Sequence, residues 1–230
     1  MKSYKIKRAI YQCAIDTAFW AKGYVKIFFY KAKVDERELF KSLSNFLPES
    51  NGKYWDVGAS HPRENSVTYP FYLRGWNGVT IEPISRYIKM HKIIRRRDKK
   101  YCGVISPEKS EVLFYYIPTQ YSTTSVMRNQ DLIDQGFRPR KSINIKSLNP
   151  IDCFEKVTPN YPSLLKVDIE GSDFILLGQL DLSLFTPRVI IIEGLTQSKE
   201  IQDLLSQFGY QLSNQLNTQG SIFVHRSWNK

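Results

Sequence analysis

From residue 52 onward the chain alternates short unbroken apolar runs with longer amphipathic ones, and this alternation constrains the fold more than any other feature. The runs KYWDV, GVTIEP, KYCGVIS, SLLKVDIE and RVIIIEG are rich in Val, Ile and Leu. An apolar run without a polar alternate face suits a strand covered on both sides, as in a parallel sheet. Between the runs lie helical patterns. ISRYIKMHKIIRRR puts Ile84, Tyr87, Ile88 and Ile94 on one face, His91 among them, and basic residues opposite. SKEIQDLLSQFGY carries Ile201, Leu204, Leu205 and Phe208 at i, i+3, i+4 and i+7, with Gly209 as the stop. Such alternation predicts an α/β fold with right-handed crossovers and a ligand site outside the carboxyl ends of the strands. The tail YQLSNQLNTQGSIFVH reads as an antiparallel hairpin around an Asn- and Gly-bearing turn. A mostly parallel central sheet ending in an antiparallel hairpin fits the methyltransferase form of the Rossmann-like architecture better than the dehydrogenase form.

The chain of 230 residues, 42% hydrophobic and 24% charged, is long enough for one substantial core. Cys13, Cys102 and Cys153 are far apart and odd in number. Neither a metal cluster nor a disulfide framework is expected of them, which points to a reducing, cytoplasmic setting. No secretory leader is expected, nor an apolar run approaching the ~20 residues that span a bilayer. The net charge of +11 is uneven: residues 1–34 hold eight basic residues against Asp16, a net +7. Trp20, Tyr24, Phe28, Phe29 and Tyr30 are interleaved with these lysines. We therefore divide the chain into a basic, aromatic-rich N-terminal helical extension over residues 1–45 and a Rossmann-like domain over residues 46–230. The extension has two readings: an amphipathic helix packed on its own domain, or a peripheral contact of residues 1–34 with an anionic membrane.

The first strand ends in DVGASHP. A pyrophosphate clamp uses three glycines in G-x-G-x-x-G, and here only Gly58 is present. A cofactor without phosphates makes smaller demands, and S-adenosylmethionine fits: Asp56 can face its ammonium group, while Gly58, Ala59 and Ser60 form the turn beside it. Glu82, at the end of the next strand, stands where such folds accept hydrogen bonds from both ribose hydroxyls. Asp168 ends the strand expected beside the first one and is a candidate base, with capping of the next helix as the bland alternative. His61 in the glycine turn is a second candidate base, or a residue that closes the turn. Lys166, two residues before Asp168 and on the same side of its strand, calls for an acidic partner if buried. Ser106 follows the third run, near the expected adenine end. The hydroxyl-rich YSTTSVMRNQ, residues 121–130, is a candidate grip for a sugar.

The segment DVGASHPRENSVTYPFYLRGWNGVTIEP resembles the FkbM-type methyltransferase family, which carries D-V-G-A, S-x-T, F-Y-x-x-G-W-x-G and I-E-P at this spacing. LLKVDIEGSDFILLGQL and PRVIIIEG resemble that family's second half, so the likeness covers roughly residues 52–225. It implies a class I, Rossmann-like fold, S-adenosylmethionine as methyl donor, and O-methylation of sugar or polyketide-type hydroxyls. The chain departs from the pattern in Ser60-His61 after the D-V-G-A, in Asp173 where a glutamate is usual, and in Pro70. With Thr68 as N-cap, Pro70 falls in the first turn of a helix, where it is tolerated.

The expected partner is thus a sugar or glycan acceptor. Related sugar methyltransferases use Mg²⁺, for which Asp168, Glu170 and Glu193 are the candidate oxygen ligands. An RNA ribose methyltransferase is the alternative enzyme, since Lys166, Asp168 and Glu193 are similar to the lysine-and-acid set of such enzymes. The linked motifs argue against a nucleic-acid substrate. A non-catalytic module that keeps the fold is the remaining reading, disfavoured by the presence of Asp56, Glu82 and Asp168.

Overall fold

A computed structural model describes residues 17–106, 111–116, 129–130, 133–134, 141–149, 162–169, 173–193, 198–216 and 220–228. Helix α1 spans residues 17–29 and α2 spans Val34–Phe46. There follow β1 (Lys53–Val57), α3 (Tyr69–Leu73), β2 (Asn77–Glu82), α4 (Ser85–Ile94), β3 (Lys99–Cys102), β4 (Val104–Ile105), β5 (Glu111–Tyr116) and β6 (Lys141–Leu148). The second half holds β7 (Leu164–Val167), α5 (Asp173–Gln179), β8 (Val189–Glu193), α6 (Ser198–Gln207), β9 (Tyr210–Leu216) and β10 (Gly220–His225).

The main sheet has the order β3-β2-β1-β7-β8-β10-β9. Its first five strands run parallel, and β10 pairs antiparallel with both β8 and β9. Strand direction and the terminal hairpin are therefore as the alternating runs predict. The third run divides, however: β3 stays in the main sheet, the chain turns at Gly103, and β4 joins β6 and β5 in a smaller sheet.

The two-residue period of the strands sorts their apolar side chains onto two faces. On one face Trp55, Val57, Leu165, Val167, Ile190 and Ile192 pack under Leu176 and Leu177 of α5 and Ile201 and Leu205 of α6. On the other, Tyr54, Leu164, Val189 and Ile191 pack under Leu43 of α2 and Phe71 and Tyr72 of α3. Because both faces are covered, β7 is buried along its whole length, and continuous apolar runs result. Leu43 and Leu47 are fully buried, so the second half of the N-terminal segment is built into the domain. Trp20 and Ile27 of α1 form a further cluster with Tyr87 and Met90 of α4.

Pro70 is accommodated in the first turn of α3, after Thr68. The Thr68 hydroxyl does not cap this helix. It donates to Asp56 Oδ2 instead.

Candidate functional site

One face of the sheet changes character along its length. It begins apolar with Tyr54, Leu164, Val189 and Ile191, and at the carboxyl ends of the same strands becomes ionic. The period of two carries Tyr54 to Asp56, Leu164 to Lys166 and Asp168, Ile191 to Glu193, and Thr80 to Glu82. Register makes these positions neighbours: Asp56 pairs with Thr80 on one side and Lys166 on the other. Chain order also reverses here, since β2 and β3 lie to one side of β1 and β7 and β8 to the other. The gap between the ends of β1 and β7 is thus the topological switch point, where ligands of open α/β sheets bind.

The turn after β1 is built to a single shape. Gly58 has φ +75°, and a β-carbon there would stand 1.8 Å from the carbonyl oxygen of Asp168. The glycine is required by the protein's own backbone, which brings β1 and β7 together, as well as by any ligand nearby. Gly58 N and Ala59 N both donate to Ile81 O. Ser60 follows at φ 48°, a left-handed conformation that needs outside support. Glu82 supplies it by accepting from Ser60 N at 2.8 Å through one oxygen and from Ile84 N at 2.7 Å through the other. His91 Nε2 meets Ser60 O at 2.9 Å. His91 was expected in the core. It is fully buried, and it also locks the turn.

Glu82 is buried, which pushes its carboxyl up to about 7, while the two backbone N–H groups pull the other way. A carboxylate has about four lone-pair sites, so two N–H partners leave capacity for ribose hydroxyls. Asp56, expected beside the cofactor's ammonium, is turned into the protein. Its Oδ2 receives Thr68 and lies 3.2 Å from Arg95 Nη1. Its Oδ1 lies 3.9 Å from Lys166 Nζ.

Arg95, assigned by periodicity to a basic outer face, is 0% exposed. Besides Asp56 it donates to Pro62 O at 3.0 Å, Thr68 Oγ1 at 2.7 Å and Ser66 Oγ, and it lies 3.8 Å from Asp98. Asp98 in turn accepts from Tyr54 Oη at 2.7 Å and Gly78 N at 3.1 Å. The one sequence cue to this network is the acid three residues beyond the arginine.

His61 also takes a fixed place. Its Nδ1 accepts from Arg63 N and Glu64 N at 3.2 and 2.9 Å, so the proton sits on Nε2, which is 3.0 Å from Gly23 O of α1. Burial lowers its pKa. Both ring nitrogens are occupied, and of its two readings the one that closes the turn is the one seen. As a candidate base it is superseded, because no lone pair is left for an acceptor's proton.

Asp168 has a different setting. Lys166 Nζ donates to its Oδ2 at 3.2 Å and to Gly58 O at 2.9 Å. Burial would lower the lysine's pKa, but the charges of Asp168, Glu193 and Asp56 hold it raised, so it stays an ammonium. Glu193 hydrogen-bonds to Asp168, and burial together with that carboxylate pushes its pKa up to about 8. The Lys166 side chain is 6% exposed and that of Asp168 is 25% exposed. Asp168 is therefore partly open where Lys166 is buried. Asp173, in the first turn of α5, accepts from Ile169 N at 3.1 Å.

Ser106 follows β4, and its carbonyl accepts from Ser147 Oγ at 3.2 Å, tying it to the smaller sheet. Glu170 and most of the 121–130 loop lie outside the described residues. Among the described residues no group of three His, Cys, Asp or Glu is placed to hold a metal ion. The ammonium of Lys166 stands between Asp56, Asp168 and Glu193, so the residues described do not fit the Mg²⁺ expected of them, and the chemistry below uses none. A separate groove lies beyond the turn, walled by Tyr30, Phe40, Arg63, Tyr69 and Leu73; none of the acids at the strand ends lines it.

A mostly parallel α/β sheet whose strand-end acids gather at its switch point defines the Rossmann-like fold class. The methyltransferase FkbM domain model matches residues 56–212, and the chain belongs to that family. It is an S-adenosylmethionine-dependent methyltransferase. No curated protein sequence matches the chain at a significant level. Among solved structures, a TehB-like S-adenosylmethionine-dependent methyltransferase from Corynebacterium glutamicum is similar at 9% identity, over 93% of this chain and 99% of that one, with a TM-score of 0.46. An O-methyltransferase from Bacillus cereus in complex with S-adenosylhomocysteine is similar at 11% identity over 91% and 96%, with a TM-score of 0.37. The 1,6-didemethyltoxoflavin-N1-methyltransferase from Burkholderia thailandensis is similar at 9% identity over 94% and 89%, with a TM-score of 0.40. At these levels the likenesses say nothing about the acceptor.

Proposed function

We propose that the protein methylates a hydroxyl oxygen of a sugar, glycan or related natural-product acceptor, with Asp168 as the proton acceptor. S-adenosylmethionine supplies, when bound, a methyl group on a cationic sulfur whose bonding pair leaves with the sulfur. The acceptor oxygen forms the new bond to carbon and gives up its proton to the Asp168 carboxylate. Lys166 orients that carboxylate, and Glu193 shares a proton with it. The Gly58–Ser60 turn positions the cofactor's amino-acid end, and Glu82 accepts from its ribose. The observation that carries this reading is Asp168 itself: it is partly open at the switch point and fixed by a buried lysine. The family resemblance supports the acceptor class. A placed base contributes roughly 10²- to 10⁴-fold, and holding the acceptor near attack distance contributes more.

Asp168→Asn is expected to lower kcat by roughly 10²- to 10⁴-fold and to leave S-adenosylmethionine affinity, read by calorimetry, nearly unchanged. Incubation with labelled S-adenosylmethionine and extracted glycans should place the label on a sugar oxygen. A label that appears in RNA, or an Asp168→Asn variant with full kcat, would overturn the proposal.

A further inference from the structure

We propose that the outward face of α1, together with the basic chain that follows it, docks on an anionic lipid bilayer. The inward face of α1 is already used. Trp20 and Ile27 are buried against Tyr87 and Met90, Gly23 O meets His61, and the carbonyls of Ile27 and Tyr30 receive Arg63. These contacts fix the helix's rotation. The remaining face therefore points outward and is apolar too: Val25, Phe28 and Phe29 are 56%, 65% and 80% exposed, and Val34 just beyond is 57% exposed. A helix that is apolar on two sides has a second partner to satisfy.

Charge selects that partner. Residues 17–34 contain four lysines and no acid. Lys26 is spent on Glu64, while Lys22, Lys31 and Lys33 are exposed around the apolar stripe. Phenylalanine rings at the boundary of acyl chains and headgroups, with ammonium groups at the lipid phosphates, match this pattern. A second copy of the chain would bring the same positive charge to the contact, which disfavours self-association. No described helix is long and apolar enough to cross a membrane, so the contact lies on the surface.

The test uses the full chain and vesicles of phosphatidylcholine with or without phosphatidylserine. The protein is expected to co-sediment with the phosphatidylserine vesicles and to be released at high salt. Phe28→Ser with Phe29→Ser, and separately Lys22→Glu with Lys31→Glu, should each lower partitioning about tenfold or more. Both double variants should keep the parent's thermal midpoint and S-adenosylmethionine affinity, because none of these four side chains touches the strand-end site. Absence of co-sedimentation, or partitioning that neither double variant changes, would overturn the proposal. So would a dimer in sedimentation velocity that Phe28→Ser with Phe29→Ser dissolves, or retention by single-stranded RNA without retention by vesicles.

Discussion

Arg95 and Glu193 both shape the site, and they act differently. Arg95 is structural: its guanidinium gathers Pro62, Ser66, Thr68 and Asp56 from four points of the turn region. Removing one partner of a buried ion pair leaves an uncompensated charge, which costs about 3–5 kcal/mol. Arg95→Met is expected to lower unfolding free energy by about that amount in urea titration, since the guanidinium it removes is fully buried. Glu193 acts on chemistry. With its pKa near 8, it holds its proton below that pH and donates to Asp168, occupying a lone pair an acceptor's proton would need. Above about 8 that proton is lost, the hydrogen bond it makes to Asp168 goes with it, and kcat should rise through that region. The limb belongs to the coupled pair, and Glu193→Gln is expected to abolish it in a kcat–pH profile.

At the scale of elements, most segment identities were legible locally, because they depend on periodicity. The five apolar runs, the 84–97 and 198–210 helical patterns and the closing hairpin all correspond to strands and helices. Gly209, read as the stop of α6, has φ +84°, a conformation that favours glycine. The division of KYCGVIS between two sheets was not legible. Gly103 separates β3 from β4 because a β-carbon there would lie 2.7 Å from Lys146 O on β6, 43 residues along the chain — a contact with no local signature. The N-terminal boundary also changes meaning, since α2 is a wall of the core. Leu43→Ala is expected to cost about 2–5 kcal/mol of stability, measured by chemical unfolding. A cost below about 1 kcal/mol would show that α2 is a detachable appendage.

Across the whole molecule, charge and chemistry are segregated. The net +7 of residues 1–34 leaves +4 for the other residues, and the acids of the site converge at the carboxyl ends of β1, β2, β7 and β8. Helix α1 links the two regions: its Gly23 and Ile27 carbonyls hold His61 and Arg63 of the turn. The vesicle experiment belongs to this scale, because it asks what the basic end of the molecule faces. By itself the sequence determined the α/β class, the strand and helix segments, the family, and the residue types at the strand ends. Those follow from periods of two and 3.6 residues and from motifs a few residues long. Only the tertiary structure decided the roles of His61, His91, Arg95, Asp56 and Lys166. Their partners lie as far as 108 residues away in sequence, as for Lys166 and Gly58. Whether such a side chain faces a ligand or the protein depends on which strands become neighbours, a matter no local pattern encodes.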